Sequence, residues 1–167
     1  MALRTYLATL SILLSSLLSV GCALSGAADN APKIGPRVQV FNASYDEVWR
    51  GLQKALAKYP IQLNNIDLGR IETDFIKVNQ VWQSPAQEPE RYPNARYQLS
   101  VRVVKGKTKN KDSIRVSILK NKTIEPDFFS SQKVLPSDGL EENALLYRLE
   151  REIKIERSLK RAFERGS

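Results

Sequence analysis

Residues 96–118, RYQLSVRVVKGKTKNKDSIRVSI, decide the fold. On either side of a central basic segment, apolar residues alternate with polar ones, which is the pattern of a strand with one buried face. The apolar positions are Tyr97, Leu99, Val101 and Val103 in the first half and Ile114, Val116 and Ile118 in the second. The stretch predicts an antiparallel hairpin whose two strands pair across residues 105–111.

A short strand is predicted near the start of the same domain. Val38 and Val40, followed by Phe41, alternate with Arg37 and Gln39. Alternation of this kind is typical of a half-buried strand. We expect the valines to face the core and the two polar side chains to face solvent.

The segment from Ser44 to Pro60 has the signals of a helix. Ser44 and Glu47 form a capping-box pattern, in which the hydroxyl accepts a hydrogen bond from the Glu47 amide. Pro60 ends the helix, because the residue before a proline is pushed out of helical geometry. Apolar residues recur between these signals at helical spacing, at Val48, Trp49, Leu52, Ala55, Leu56 and Tyr59.

Residues 61–76 predict a second hairpin, since their apolar positions return to a spacing of two. Turn residues at 67–69 separate its two strands. The residues expected to face the core are Ile61 and Leu63 in the first strand and Ile71, Thr73 and Phe75 in the second. Residues 79–94 contain three prolines and predict an irregular loop.

Glu72 and Asp74 lie two apart and therefore share one face of the predicted strand. Two carboxylates on one face are what acid–base catalysis or cation binding requires. The alternation, however, places them on the solvent side of a half-exposed strand, and we favour that interpretation. Arg70 lies on the same face, where it can pair with Glu72.

The chain from Asp138 to near its end predicts a long helix. Asp138 and Glu141 form a second capping pair. One apolar stripe runs along the helix, at Leu145, Leu146, Leu149, Ile153, Leu159, Ala162 and Phe163. The apolar residues of the segment 121–136 have no clear period. A further short or edge strand in this segment is left as an open alternative.

These elements predict an α+β fold with the order β-α-β-β-β-β-α. An antiparallel sheet buries one face against the long C-terminal helix and leaves the other face in solvent. Residues 37–167 are long enough to form one such domain without disulfides or metals.

The composition excludes the commonest catalytic chemistries. The chain of 167 residues has no His and one Cys. A Ser-His-Asp triad, a His-ligated metal and a CxxC motif are therefore excluded. We expect no catalytic residues, no metal and no cofactor. An enzyme ranks third among the possible functions, because it would have to use Asp, Glu, Lys, Ser or Tyr alone.

Positive charge is concentrated in the central hairpin. Nine basic residues and one acidic residue lie between positions 96 and 122, a difference that equals the formal charge of +8 for the whole chain. The basic residues are Arg96, Arg102, Lys105, Lys107, Lys109, Lys111, Arg115, Lys120 and Lys122. A solvated hairpin tip that resists aggregation is one interpretation.

The second interpretation is that Lys105, Lys107, Lys109 and Lys111 bind anionic lipid head groups or an acidic partner protein. Nucleic acid is not expected as a partner, because no aromatic residues interleave with the lysines.

Residues 1–21, MALRTYLATLSILLSSLLSVG, have the layout of a secretory signal, with Arg4 before an apolar run from Leu7 to Val20. That run of about fourteen residues is shorter than the roughly 20 that a membrane-spanning helix needs. It ends on Ser19-Val20-Gly21-Cys22, which resembles the bacterial lipobox. In a lipobox, the Cys is acylated and becomes the mature N-terminus.

The lipobox resemblance implies that Cys22 carries palmitate-type acyl chains, which would hold the protein on a membrane. Residues 22–36, rich in small residues, then form a flexible tether. Ala23 after the Cys implies, for a Gram-negative source, the periplasmic side of the outer membrane. The alternative is cleavage at residues 25–27, Ser-Gly-Ala, which would release an unlipidated exported protein.

The residues from Ser44 to Ile76, with Val48 and Trp49 opening the helix and the string GRIETDFI at 69–76, resemble a known family. It is the lipoprotein C component of the bacterial outer-membrane β-barrel assembly machinery. The resemblance implies a helix-grip fold, in which a sheet wraps around a long C-terminal helix. The family component has two such domains, whereas this chain has room for one.

The family and lipobox resemblances together imply a non-catalytic outer-membrane lipoprotein. It would act as an accessory or scaffold in envelope assembly, with the membrane and an envelope protein as partners. The residues leave its oligomeric state open. The alternative is a lipoprotein that binds a lipid or another hydrophobic ligand, in a pocket lined by Trp49, Phe75, Trp82 and Phe129.

Overall fold

The structure, a computed structural model, describes residues 35–85, 92, 94–124 and 133–166. These residues belong to one compact unit, Lys33–Ser167. The expected signal segment, Cys22, residues 22–34 of the tether and Phe129 lie outside the described residues.

The α+β class, the antiparallel sheet and the long C-terminal helix are confirmed. The strands are β1 Arg37–Phe41, β2 Ile61–Asn65, β3 Arg70–Thr73, β4 Ile76–Lys77, β5 Ala95–Thr108, β6 Lys111–Ile124 and β7 Lys133–Leu135. The helices are α1 Tyr45–Ala55, between β1 and β2, and α2 Leu140–Gly166, after β7. The short strands β4 and β7 add to the predicted order.

The β5–β6 hairpin is the centre of the sheet. Its two strands pair without interruption from Ala95 opposite Ile124 to Thr108 opposite Lys111. The strand order is β1-β6-β5-β3-β2, with β4 also beside β5 and β7 beside β6. Lys109 and Asn110 both have positive φ, 49° and 61°, as a two-residue type I′ hairpin turn requires.

The core lies between one face of this sheet and the two helices. The apolar residues of β5 and β6 predicted to face inward are all buried, as are Trp49 and Leu52 of α1 and Leu149 of α2. The helices approach closely at Gly51, where a Cβ would lie 2.7 Å from Cδ1 of Leu149. The capping box of Ser44 and Glu47 is present at the start of α1.

The predicted orientation of β1 is wrong. Val38 is 52% exposed and Val40 is also exposed, whereas Phe41 is buried. Since side chains alternate, burial of Phe41 turns Arg37 and Gln39 toward the helix side of the sheet. There Nε2 of Gln39 donates to a carboxylate oxygen of Glu150 in α2 at 3.1 Å.

Phe75, which the alternation predicts to face the core, is 54% exposed. β3 ends at Thr73, and the chain then bends: the Asp74 amide donates to the Pro60 carbonyl at 2.8 Å. This bend moves the inward position from Phe75 to Ile76, which is buried in β4. Ile61 is also exposed, on the edge strand β2, where the register is irregular.

The apolar stripe of α2 is buried only as far as Ile153. Leu159 and Ala162 are exposed, and Phe163 is 75% exposed. Arg157 pairs with Glu47 at the start of α1, and the helix continues past this contact for about 14 Å. The apolar stripe of α2 is therefore longer than the part of the helix that the sheet and α1 cover.

Candidate functional site

The four lysines singled out in the sequence lie on a projecting part of the hairpin. β1 pairs with β6 only as far as Phe41 opposite Ile114, and β3 pairs with β5 only as far as Arg70 opposite Arg102. Residues 105–113 therefore extend beyond the flanking strands as a two-stranded basic ribbon. Lys105, Lys107, Lys109 and Lys111 are all exposed on this ribbon.

Side-chain contacts brace the basic ribbon. The ammonium of Lys105 lies 4.7 Å from the centre of the Tyr45 ring, a cation–π distance. The hydroxyls of Thr108 and Ser113 lie 3.0 Å apart across the two strands. Because Asp112 is its only acidic residue, the ribbon presents a net positive charge to solvent.

The structure also contains a buried polar network that the sequence analysis missed. Glu141, in the first turn of α2, is 0% exposed. One of its oxygens, Oε1, accepts hydrogen bonds from the hydroxyls of Tyr59 at 2.8 Å and Tyr97 at 2.9 Å. Its other oxygen, Oε2, lies 2.6 Å from the ammonium of Lys120.

The Lys120–Glu141 contact is an ion pair at 2.6 Å. The Lys120 side chain is only 10% exposed, and its ammonium also lies 4.2 Å from the centre of the Tyr97 ring. Lys120 is thus a largely buried, paired lysine, and its inclusion in a solvated hairpin tip is wrong.

Burial raises the pKa of Tyr59 and Tyr97 above the usual value of 10, and the negative charge of Glu141 raises both further. Both phenols are therefore neutral donors at physiological pH. The network joins four segments: β5, β6, the first turn of α2 and the segment between α1 and β2. This arrangement suits a structural cross-link better than a catalytic group.

Two sequence signals could have identified this network. Lys120 continues the spacing of two from Ile118 and therefore belongs to the inner face of β6. A tyrosine predicted in the core, such as Tyr97, needs a partner for its hydroxyl. The sequence pattern predicts a capping role for Glu141, but Asp138 fulfils that role by accepting from the Leu140 amide at 3.0 Å.

Three of the four aromatic residues expected to line a ligand pocket belong to the described part of the chain, and these three do not come together. Trp49 is part of the core, and Phe75 is on the surface. Trp82 lines a separate cavity of about 140 Å³ beside Tyr97 and Lys120. Among the described residues, the structure therefore gives no support to a pocket shared by these side chains.

Glu72 and Asp74 have the surface roles expected of them. An Nη atom of Arg70 lies 2.6 Å from a carboxylate oxygen of Glu72, as predicted. Asp74 is exposed and accepts a hydrogen bond from the Phe75 amide at 2.7 Å. The two carboxylates thus bind different groups and form no joint site.

Within the described ranges, no helix is both long enough and apolar enough to cross a membrane. Nor do His, Cys, Asp or Glu side chains of this part of the chain gather in a group that could hold a metal ion.

The sequence matches no protein-family model and no curated protein. The resemblance of residues 44–76 to the lipoprotein C component therefore remains a proposal.

Proposed function

We propose that this protein is a non-catalytic lipoprotein, held by acyl chains on Cys22 at the periplasmic side of the outer membrane. Its role is that of an accessory or scaffold in envelope assembly. The observation that carries the proposal is the basic ribbon, whose four exposed lysines extend beyond the strands that flank the hairpin. The lipobox-like residues 19–22 support the membrane location. The family resemblance of residues 44–76 supports the assembly role.

The lysines of the ribbon are suited to binding because the core does not need them. None of the four is buried, and like charges close together on a two-stranded ribbon repel each other. An anionic surface relieves that repulsion, and each lysine near a charged membrane surface contributes about 1 kcal/mol. The same four charges would attract an acidic partner protein and speed its association.

The position of the charge supports a scaffold more than a carrier. The ribbon is stiffened by continuous strand pairing up to the turn at Lys109 and Asn110. A stiff projection can reach a partner while the acyl chains hold the domain at the membrane. The buried ion pair of Lys120 and Glu141 fixes the base of the same hairpin to α2.

Site-specific photo-crosslinking in cells tests this proposal. A photoreactive residue at Thr108, on the ribbon, should give a discrete adduct with an envelope protein. The same residue at Lys58, an exposed position after α1, is the control and should give none. Changing Lys105, Lys107, Lys109 and Lys111 together to Gln should remove the adduct.

Circular dichroism of the four-lysine variant checks that its fold is intact, since exposed substitutions of this kind change stability by about 0.5 kcal/mol or less. Absence of an adduct from Thr108, or an adduct of equal intensity in the four-lysine variant, would contradict the proposed role of the ribbon.

A further inference from the structure

The face of the sheet opposite the helices carries a second concentration of positive charge, separate from the basic ribbon. Alternation places the polar residues of β3, β4, β5 and β6 on this face. Its basic side chains are Arg70, Lys77, Arg96, Arg102 and Arg115. Among the described residues of these strands, Glu72 is the one acidic side chain on the same face.

A shallow depression of about 310 Å³ lies in the middle of this face. It is lined by Pro36, Arg70, Ser100, Arg102, Ser117 and Leu119. Arg70 of β3 is directly opposite Arg102 of β5, and Arg102 is directly opposite Ser117 of β6. Two guanidinium groups and a hydroxyl therefore lie in one row across three neighbouring strands.

The pairing of Arg70 with Arg102 is unfavourable for the fold by itself, because like charges directly opposite each other in a sheet repel. Glu72 pairs with Arg70 at 2.6 Å and offsets one of the two charges. No carboxylate of the described residues pairs with Arg102, whose guanidinium is exposed to water. An anionic ligand can therefore reach it without breaking an ion pair.

The two serine hydroxyls are only weakly engaged. The Ser117 hydroxyl is 3.5 Å from the Arg102 carbonyl, and the Ser100 hydroxyl is 3.5 Å from the Glu72 carboxylate. Bonds of that length are at the limit for hydroxyl donors, so both hydroxyls can turn to a ligand at little cost.

We propose that Arg70, Ser100, Arg102 and Ser117 form an oxyanion site that binds a phosphate group. The planar guanidinium of Arg102 offers two parallel donors to phosphate oxygens. Arg70, whose Nε donates to Glu72 at 2.9 Å and whose Nη lies 2.6 Å from the same oxygen, adds its remaining N–H groups, and the hydroxyls add donors from neighbouring positions. These four side chains supply more donors than the two oxygens of a carboxylate can accept, which favours phosphate. The phosphate belongs either to a lipid head group or to a free ion.

Titration of the full-length protein, purified in a non-ionic detergent, tests the site. With ¹⁵N labelling, the Nε–Hε signal of Arg102 should shift in a saturable way when inorganic phosphate replaces chloride at constant ionic strength. Arg102→Gln should weaken binding by about tenfold or more, because it removes a bidentate partner.

Arg115→Gln is the matched control. It removes the same charge from the same face, but Arg115 lies outside the depression, and its register partners are Val40 and Val104. We expect it to change the affinity by no more than about twofold, because Arg115 is exposed, lies about 7–8 Å diagonally from Arg102 and supplies a screened charge but no donor to the phosphate. Ser117→Ala, which keeps every charge, is a second test variant and should weaken binding by a few-fold.

The source of the phosphate is resolved by a second titration. Short-chain phosphatidylglycerol, added to the detergent micelles, is compared with short-chain phosphatidylcholine, whose head group has no net charge. Shifts with phosphatidylglycerol but not with inorganic phosphate identify a lipid head group, and the reverse identifies the free ion. If neither titration saturates, or if R115Q loses as much affinity as R102Q, the proposal of a phosphate site is wrong.

Discussion

At the scale of single residues, Glu141 controls the charge balance of the core. Replacing Glu141 by Gln keeps an oxygen for the two phenols but leaves the ammonium of Lys120 buried without a counter-charge. We expect E141Q to lower the free energy of unfolding by about 3 kcal/mol, because breaking one side of a buried ion pair costs that much. Urea denaturation followed by circular dichroism measures the change.

The matched control is E141Q combined with Lys120→Met. The methionine packs on the Tyr97 ring and removes the unpaired charge, so the double variant should recover about half of the loss. A double variant as unstable as the sum of the two single variants would mean that the two residues do not act as a pair.

Gly69, in the turn before β3, has a backbone conformation that other residues adopt only at a cost. Its φ is +61°, a Cβ there would overlap the carbonyl oxygen of Val103, and its own carbonyl accepts from the Val103 amide at 2.8 Å. We expect Gly69→Ala to lower the free energy of unfolding by about 2 kcal/mol. Gly106→Ala is the control and should be almost neutral, because the nearest atom would be 3.9 Å away.

Cys22 is the residue on which the proposed location depends. The mass of the protein extracted from membranes should exceed that of the mature peptide by the added acyl groups. Cys22→Ser should lose this mass, and less of the protein should remain in the membrane pellet. A serine variant that stays in the pellet as firmly as the wild type would contradict lipid anchoring.

At the scale of elements, the start of α1 is joined to α2 through Glu47. The hydrogen bond from Arg157, followed by that from the Ser44 amide, lowers the pKa of Glu47 from 4.5 to about 2. Because the folded-state pKa is the lower one, this carboxylate stabilises the fold above pH 4.5, and the contribution is lost as the pH falls toward 2.

We therefore expect the stability difference between wild type and Glu47→Gln to narrow by about 1 kcal/mol between about pH 6 and pH 3. This figure is smaller than the full shift in pKa implies, because both side chains are partly exposed and water screens their charges. Urea denaturation at the two pH values measures the difference. A difference that is constant with pH would contradict the role of Glu47.

At the scale of the whole molecule, the Glu141 network joins the central hairpin, the segment between α1 and β2, and α2. The folded-state pKa of Tyr59 and Tyr97 lies above the unfolded value of 10, so their contribution is complete below pH 10 and is lost as the pH rises beyond it. The fold should consequently become less stable in alkaline solution.

The stability difference between wild type and Tyr97→Phe should narrow by about 1 kcal/mol between about pH 8 and pH 11. Tyr147, which is exposed on α2, provides the control. Tyr147→Phe should change the free energy of unfolding by about 0.5 kcal/mol or less, because its ring lies on the surface. If both variants behave alike, the phenol of Tyr97 is not linked to folding.

The sequence by itself determined the features that depend on local spacing. The alternation in residues 96–118 predicted the central hairpin and its inward residues, and the capping box predicted the start of α1. Together with the long C-terminal helix, these features determined the α+β class. The position of the four ribbon lysines near the hairpin tip was also predictable from the sequence, because the turn between two alternating strands lies at the tip of a hairpin.

Only the tertiary structure decided the orientation of β1, the exposure of Phe75, the end of the buried stripe of α2 and the burial of Lys120. Each of these four features depends on which element packs against the residue, and the spacing of residues along the chain does not determine that packing. A strand or helix pattern shows that one face is apolar, but where the core ends depends on its neighbours. Lys120 and Glu141 are buried together because their charges meet across elements that are distant in sequence.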